Sequence, residues 1–405
     1  MKHTYYRILF RAKSAFSIGS GRNARTDHDI MRRKDGTPYI PAASIAGVFR
    51  HYYDGDEKLQ DQLFGSIKTV NQHTSALFFY DADLTGKCDE TVRDSVKLEN
   101  RTAVKGAKFD MEAVEAGAEF VTYLELDKYH EQYTAETEML LTAMKNGILR
   151  FGYKSTRGYG EVEILEVKRM QFELGNPAGL DAWLAFEMKD AAGWDHAESL
   201  ALDTHPENML CIRLHLRQQS ALSIRVYSTD PGKDHQKFPD FKQMAMQNGD
   251  PVIPGTSWAG AFRERFRQLS ADEPLTNGLF GELNGDVKRS RILFSESQIR
   301  GGMAKEMTRN SIDRFSAATK NTALYTERTW YGGETELTLT IPHGTSPKER
   351  LVLGAVLLDL HNGYLSLGGL ASVGRGMFRI EQIEVNGSDR TVLLEPAGLA
   401  ALLEV

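Results

Sequence analysis

The sequence lacks three features that would assign it to a special class of protein. It has no run of about 18 apolar residues, which excludes a transmembrane helix. It has two cysteines, Cys88 and Cys211, too few for a secreted scaffold held by several disulfides. Its first residues carry no apolar signal-peptide core. With 41% hydrophobic and 26% charged residues, the composition predicts a globular cytoplasmic protein with full cores and no membrane contact.

A surface that is basic throughout is also absent. Forty-nine Lys and Arg stand against 55 Asp and Glu, for a net charge of -6. Residues 1–50, however, hold ten basic and three acidic residues, so 10 − 3 gives a local charge of +7 and the remainder carries -13. This segment could face an anion, although an ordinary solvated surface would have the same charge.

Familiar enzyme signatures are incomplete. Residues 147–156 resemble a phosphate loop, but Tyr153 stands where that motif needs glycine. His130-Glu131 lacks the second histidine of a zinc protease helix. Of the 11 histidines, only His28, beside Asp27, is kept as a candidate general base.

The clearest positive feature is that the chain repeats itself. Residues 11–18 return at 217–224, an offset of 206, and residues 40–50 return at 253–263, an offset of 213. Later matches keep the same order. They are Leu63-Phe64-Gly65 with Leu279-Phe280-Gly281, Asn100-Arg101 with Asp313-Arg314, 146–152 with 362–368, and Pro177-Ala178-Gly179-Leu180 with Pro396-Ala397-Gly398-Leu399.

A tandem duplication explains this order. We expect a first module over 1–184, a linker over 185–208 and a second module over 209–405. Within each copy, strand-like segments alternate with two helical patterns, one entered through Pro41 and one over Ala135–Asn146. The pattern predicts an α+β fold in which an antiparallel sheet carries its helices on one face.

The helix after Pro41 carries small residues and an arginine on one face, and the second copy repeats them. Small side chains admit another backbone, a helix N-terminus attracts phosphate, and arginine offers a fork of donors. A phosphodiester backbone would suit this face, with Arg50 and Arg263 as its donors. Tight packing against the sheet, with the arginines at the rim, is the alternative.

Two glycine-rich loops stand at equivalent positions, Gly152–Gly160 and Gly368–Gly376. Glycine exposes backbone N–H groups and adopts positive φ, which suits contact with a sugar-phosphate backbone. Lys154, Arg157 and Arg375 are the cationic candidates here. Ordinary β-hairpins use glycine as well, so one such loop alone would say little.

The combined motifs resemble the RAMP superfamily of CRISPR systems, specifically the backbone subunits of type III effectors, in a fused double copy. The resemblance covers nearly the whole chain twice. It implies two tandem ferredoxin-like (RRM-related) RAMP modules, filament assembly, and a β-hairpin thumb that kinks the guide–target duplex. It also implies contact with CRISPR RNA and target RNA, and partnership with other RAMP-type subunits and a large signalling or nuclease subunit. By this resemblance the motif residues become RNA-binding candidates, namely Ser44, Arg50, Arg101, Ser257, Arg263 and Arg314.

Two departures from the family pattern limit which RNA contacts of the family carry over to this sequence. Many members have lysine before the helix glycine, but Ala46 and Ala259 stand here, so that phosphate contact does not carry over. The aromatic motif of a standard RRM is not evident either, which agrees with recognition of the RNA backbone rather than of bases.

In active members of this kind, a loop aspartate upstream of the Ile-Pro motif supports metal-dependent RNA cleavage. Asp27 lies 41 − 27 = 14 residues before Pro41, and Asp240 lies 254 − 240 = 14 before Pro254. The resemblance implies that Asp27 and Asp240 are catalytic and bind a divalent metal, Mg²⁺ or Mn²⁺. Nearby cations would offset developing charge; they are Arg22, Arg25 and Lys237. The other loop aspartates are expected to be solvated, namely Asp29, Asp35, Asp234 and Asp250.

The sequence thus favours a double backbone subunit that binds the guide and cuts target RNA at two spaced positions. A non-catalytic structural subunit is the main alternative. A guide-processing endoribonuclease is the third, and the lack of a repeated histidine counts against it.

Overall fold

A computed structural model describes residues 1–21, 26–53, 55–66, 74–99, 102–202, 209–227, 239–282, 288–321, 323–342 and 344–404. The chain forms two compact units. Unit 1 consists of Met1–Val92, Asp110–Ser155 and Tyr159–Glu207, and unit 2 of Arg93–Phe109, Thr156–Gly158 and Asn208–Val405. Two short segments of the first sequence copy therefore belong to unit 2.

The secondary structure of the first half alternates short strands with longer ones. In chain order the elements are β1 (Lys2–Ala12), β2 (Gly19–Gly21), β3 (Asp29–Ile30), β4 (Tyr39–Ile40), α1 (Ala42–Tyr52), α2 (Glu57–Phe64), β5 (Leu77–Phe79), β6 (Ala82–Leu84), β7 (Glu90–Glu99), β8 (Thr102–Val114), β9 (Glu119–Leu126), α3 (Thr134–Lys145), β10 (Val162–Glu173), α4 (Pro177–Leu184) and β11 (Glu198–Ser199).

The second half repeats the same succession. Its elements are β12 (Leu210–Gln218), β13 (Arg225–Tyr227), β14 (Phe241–Gln243), β15 (Val252–Ile253), α5 (Gly255–Ser270), α6 (Glu273–Phe280), β16 (Leu293–Phe294), β17 (Ser297–Arg300), β18 (Met303–Arg309), β19 (Tyr325–Tyr331), β20 (Glu334–Ile341), α7 (Pro347–His361), β21 (Phe378–Val385), β22 (Ser388–Asp389) and α8 (Leu399–Leu402).

Each unit is built on a seven-stranded sheet with one topology. In unit 1 the order is β11-β10-β1-β9-β6-β4, and in unit 2 it is β22-β21-β12-β20-β17-β15. Each sheet contains a βαββαβ motif whose four strands lie in the order 4-1-3-2 with antiparallel neighbours. In unit 1 this motif consists of β1, α1, β6, β9, α3 and β10. In unit 2 the same motif consists of β12, α5, β17, β20, α7 and β21. This confirms the α+β fold of two tandem ferredoxin-like modules.

Alternating side chains on the central strands form the core of each unit. Tyr6, Ile8 and Phe10 of β1 are almost fully buried, and Leu214 and Leu216 of β12 take the same role in unit 2. The helices predicted from the sequence are present as α1 and α3, with bounds within one residue for α3. No helix among the described residues is long and apolar enough to cross a membrane.

The faces of the two sheets opposite this core differ. In unit 1 the residues after α4 pack on the sheet, where Trp194 is fully buried with Tyr5 and Phe172, and β11 pairs with β10. Much of the segment 185–208 is therefore part of the folded unit. In unit 2 Cys211 stands at the position of Tyr5, whereas Arg213 and Arg217 pair with glutamates of the neighbouring strands, as Arg7 and Arg11 do in unit 1.

The repeated arginine of the first helix is explained by the repeated Leu-Phe-Gly motif. Arg50 donates to the carbonyl oxygen of Gly65 at 2.7 Å and to Asp61 at 3.0 Å. Arg263 donates to the carbonyl oxygen of Gly281 at 2.7 Å and to Asn277 at 2.6 Å. Each glycine ends a helix at positive φ, a conformation that favours glycine. The arginine thereby fastens the end of the second helix to the first.

A buried ion pair distinguishes unit 2. Arg375 donates through both terminal nitrogens to Glu327, at 2.7 and 2.5 Å, and both side chains are nearly inaccessible. Burial alone would raise the pKa of Glu327, but hydrogen bonds and charge from Arg375, with further charge from Arg309 and Arg225, lower it below its ordinary value overall. Such a pair depends on both partners.

Unit 1 replaces this pair with uncharged side chains. Met111 forms a parallel bridge with His28 as Glu327 does with Phe241. Tyr159 lies between Gly158 and Gly160 as Arg375 lies between Gly374 and Gly376. Met111 and Tyr159 are both buried. The same pair of positions is therefore occupied by two uncharged side chains in unit 1 and by an ion pair in unit 2.

Replacing the ion pair of unit 2 with the uncharged pair of unit 1 tests whether these positions are equivalent. Glu327→Met alone should lower the free energy of unfolding by about 3–5 kcal/mol, because it leaves the Arg375 charge buried without its carboxylate. Arg375→Tyr alone should also lower it, since Glu327 then keeps only the more distant Arg309, at 3.7 Å. The double variant carries the pair found in unit 1 and should regain most of that loss in urea unfolding. A double variant as unstable as the sum of the two singles would contradict the equivalence of the positions.

The pair also predicts acid sensitivity. The pKa of Glu327 is lower in the folded than in the unfolded chain, so the unfolded chain takes up this proton first as pH falls. Its stabilising contribution is thus fully present above about pH 4.5 and is lost as pH falls through the folded-state pKa. Urea unfolding between about pH 7 and pH 3 should show a shallower pH dependence for the double variant, Glu327→Met with Arg375→Tyr, than for the wild type. Equal slopes would refute this.

Candidate nucleic-acid interface

The two aspartates with equal spacing make the same backbone contact in their respective units. In unit 1 the Asp27 carboxylate accepts the N–H of Asp110 at 3.3 Å, and the Asp110 carboxylate accepts the N–H of Asp27 at 2.8 Å. In unit 2 the Asp240 carboxylate accepts the N–H of Thr326 at 2.8 Å, and the N–H of Asp240 donates to the carbonyl of Thr326 at 2.8 Å. Each loop aspartate is thereby fixed to the second strand of a hairpin, which is β8 of the pair β7–β8 for Asp27 and β19 of the pair β18–β19 for Asp240.

The glycine-rich loops dock on the strand ends that lead to these aspartates. The N–H of Gly160 donates to Ala15 and that of Gly376 to Ala221, at 2.9 and 2.8 Å. A Cβ at Gly160 would overlap the carbonyl oxygen of Phe151, and one at Gly376 that of Leu367. Both glycines have positive φ. Close backbone approach therefore accounts for these glycines without a bound anion.

In unit 1 the loop places an aromatic ring beside His28, the residue that follows Asp27, and a lysine beside that ring. The ring of Tyr153 lies 5.5 Å from that of His28, and Lys154 Nζ lies 5.9 Å from the Tyr153 ring centre. Lys154 adopts a positive φ of 56°. Tyr153 is about half exposed, at 52%. The structure thus brings together Asp27, His28, Tyr153 and Lys154 on an accessible surface.

Unit 2 fills the equivalent place differently. Phe241 follows Asp240 as His28 follows Asp27, and the Arg225 guanidinium lies 4.7 Å from the Phe241 ring centre. Leu370 takes the place of Lys154 and also has a positive φ, 62°. No histidine follows Asp240, so His28 is not a repeated general base.

The small faces of the first helices are open. A Cβ built on Gly47 or Gly260 would meet no described atom within 4 Å, and both glycines are exposed. Ser44 and Ser257 lie in the first turns, where their N–H groups donate to Pro41 and Pro254 at 2.9 Å. Packing against the sheet therefore does not explain the glycines at these two positions.

Within unit 2, part of the first glycine-rich loop lies at the start of α5. Gly158 and Gly255 approach so closely that a Cβ on either would meet the other's backbone. Arg157 bridges to Phe294 through its backbone. The N-terminus of α5 is thus partly covered by backbone.

The remaining predicted RNA-binding residues are distributed unevenly. Arg314 is exposed on the loop between β18 and β19. Arg375 is buried in its pair with Glu327, which points to a structural role, since both terminal nitrogens are occupied. Four candidates lie outside the described residues, namely Arg22, Arg25, Arg101 and Lys237.

A metal ion at either aspartate would take most of its ligands from elsewhere. No three His, Cys, Asp or Glu side chains in the described parts of the chain come together as a metal-binding group. Mg²⁺ usually keeps several waters and binds through one or two carboxylates plus substrate phosphates. One loop aspartate per unit is sufficient for that mode of binding, but it could not form a site built from protein ligands alone.

Sequence reasoning missed the residues that hold these aspartates. Asp110 and Thr326 differ in type but stand 326 − 110 = 216 residues apart, the same offset that relates Gly152 to Gly368. That shared offset was the available signal. Tyr153 was seen only as a departure from a phosphate loop, and Arg225 has glycine at its equivalent, Gly19, so neither showed a repeated pattern.

Comparison with known proteins gives one family. A search of curated proteins finds no match. A solved structure, described as the cryo-EM structure of the type III-B Cmr-beta bound to cognate target RNA, matches with 17% identity and a TM-score of 0.34 over 42% of this chain and 61% of that chain. The model of the RAMP superfamily matches residues 9–163 and 246–379, which is more than half of the sequence. The chain is therefore a member of the RAMP superfamily, with one family region in each of its two sequence copies.

Proposed function

We propose that this protein is a CRISPR RNA-binding backbone subunit of a type III-like RNA-guided effector, and that it cleaves bound target RNA at two spaced positions with a divalent metal. The observation that carries the proposal is the equal setting of Asp27 and Asp240. Both follow the first strand of a RAMP module, and both are held by the backbone of the strand that closes the hairpin. A duplicated function requires such a duplicated setting.

The surrounding surfaces suit an RNA backbone. The exposed glycines of α1 and α5 allow close approach of a phosphodiester chain, and Lys154 and Arg157 add positive charge. Contacts of this kind position RNA without reading its sequence. Guide recognition by backbone contacts is what a subunit needs when base pairing supplies the specificity.

In this proposal each aspartate acts on the phosphate at its own cleavage position. A divalent ion, Mg²⁺ or Mn²⁺, would supply charge neutralisation at the scissile phosphate and an activated oxygen nucleophile. The carboxylate would hold that ion or orient the attacking ribose hydroxyl. Its hydrogen bond to the hairpin strand fixes one carboxylate oxygen and so restrains the side chain before RNA binds.

The proposed partners are the guide RNA, the target RNA, other RAMP-type subunits and a large signalling or nuclease subunit, assembled in the cytoplasm. The duplication supports assembly from like modules, because one chain already carries two of them. Neighbouring subunits of the same fold would extend the series.

A non-catalytic backbone subunit is the second candidate, and the same hydrogen bonds favour it. A carboxylate that accepts a backbone N–H is also a common structural tie. The two functions differ in what happens when the charge is removed and the hydrogen bond is kept.

Asparagine substitutions separate these functions. Asp27→Asn and Asp240→Asn keep an oxygen that accepts the N–H of Asp110 or Thr326, but remove the charge that a metal or a proton needs. In a reconstituted complex with guide and target, each variant should lose one cleavage product boundary by at least about 100-fold, with guide retention and target binding unchanged. Chelation of divalent metal should remove both boundaries.

The chain supplies a matched control at Asp35. Its carboxylate accepts the N–H of Thr37 in a surface turn, and Asn248 accepts the N–H of Asp250 in the equivalent turn of unit 2. Asp35→Asn therefore introduces a residue that the fold already uses, and both cleavage products should persist. If both products also persist in the Asp27/Asp240 double variant, with no other active subunit present, the structural function is correct.

A further inference from the structure

One place beside each loop aspartate is occupied by a different side chain in each unit, and the two side chains come from different structural elements. The place lies over the ring that follows the aspartate, His28 in unit 1 and Phe241 in unit 2. In unit 1 the glycine-rich loop supplies Tyr153, whose ring centre is 5.5 Å from that of His28. In unit 2 the strand β13 supplies Arg225, whose guanidinium lies 4.7 Å from the Phe241 ring centre.

Glycine stands at the complementary position in each case. The residue equivalent to Tyr153 is Gly369, and an added Cβ there would lie 3.2 Å from Arg225 Nε. The residue equivalent to Arg225 is Gly19. A different element therefore covers the ring in each copy, and glycine stands at the position from which the other copy supplies its side chain.

This difference leaves the two places chemically unequal. The Arg225 guanidinium packs on Phe241, and its charge acts on the buried Glu327. Tyr153 in contrast is 52% exposed, which leaves part of its ring accessible. Lys154 lies beside it, with Nζ 5.9 Å from the Tyr153 ring centre.

An exposed aromatic ring with an adjacent cation is the usual means of holding an unpaired base, since every base has a π-face and every nucleotide a phosphate. We infer that Tyr153 forms a base-stacking subsite for single-stranded RNA beside Asp27, with Lys154 at the phosphate, and that unit 2 has no equivalent among its described residues. The inference rests on the proposed function, because it assigns an RNA contact to the surface around Asp27.

The test measures binding of the full chain to two probes by fluorescence anisotropy. One probe is an oligouridine of about 12 residues, within the site sizes of single-strand binders, and the other is the same ribose-phosphate chain without bases. Tyr153→Ala should weaken oligouridine binding roughly tenfold and leave binding of the abasic probe unchanged. Tyr153→Phe should bind both probes as the wild type does, because it keeps the ring. Lys154→Ala should weaken both probes and reduce the salt dependence.

The control is a similar tyrosine–lysine pair elsewhere in unit 1. Tyr129 is 66% exposed, and Lys128 Nζ lies 5.1 Å from its ring centre. The pair follows Leu126, which pairs with Thr4, so it lies at the opposite end of β1 from the glycine-rich loop. Tyr129→Ala should leave both affinities unchanged.

The outcomes separate the two proposals. Unchanged oligouridine affinity in Tyr153→Ala, or equal losses in Tyr153→Ala and Tyr153→Phe, would overturn the stacking subsite and leave the proposed function in place. A wild-type chain that binds neither probe would overturn both. A loss specific to the probe with bases, restored by phenylalanine, supports the subsite.

Discussion

The close approach of two backbones at the glycine-rich loops is the constraint on which the interface depends. Gly160 and Gly376 leave no room for a side chain beside the carbonyls of Phe151 and Leu367, and each donates to the strand end that precedes the aspartate loop. This contact fixes the loop on the sheet and, with it, the surface around Asp27 and Asp240. Binding chemistry is added to this arrangement rather than producing it.

Much of the fold could be predicted because the signals were local or repeated. Apolar alternation predicted the central strands, and Pro41 and Pro254 predicted where the first helix of each copy begins. The offsets between the copies indicated the duplication. The positions of Asp27 and Asp240 followed from equal spacing to the same motif. Their equal backbone contacts needed the structure, because Asp110 and Thr326 share a position and a backbone N–H but no side-chain chemistry.

Other residues could not be interpreted from type alone. Arginine in a repeated motif suggested phosphate in three places, but Arg50 and Arg263 bind helix-end carbonyls and Arg375 binds a buried glutamate. A sequence states which donors are present and does not state which internal acceptor reaches them first. The partner of Arg375 is 48 residues away, and nothing between them indicates the pairing.

The assignment of residues 93–109 to unit 2 has a consequence for the history of the chain. Arg93 pairs there with Glu296, and their side chains are 4% and 7% exposed. A gene separated again at the repeat boundary would encode the second unit without the segment that carries Arg93, so Glu296 would lose its cation. The fusion of the two copies is therefore difficult to reverse by a single break, because part of the second folding unit is now encoded in the first half of the gene.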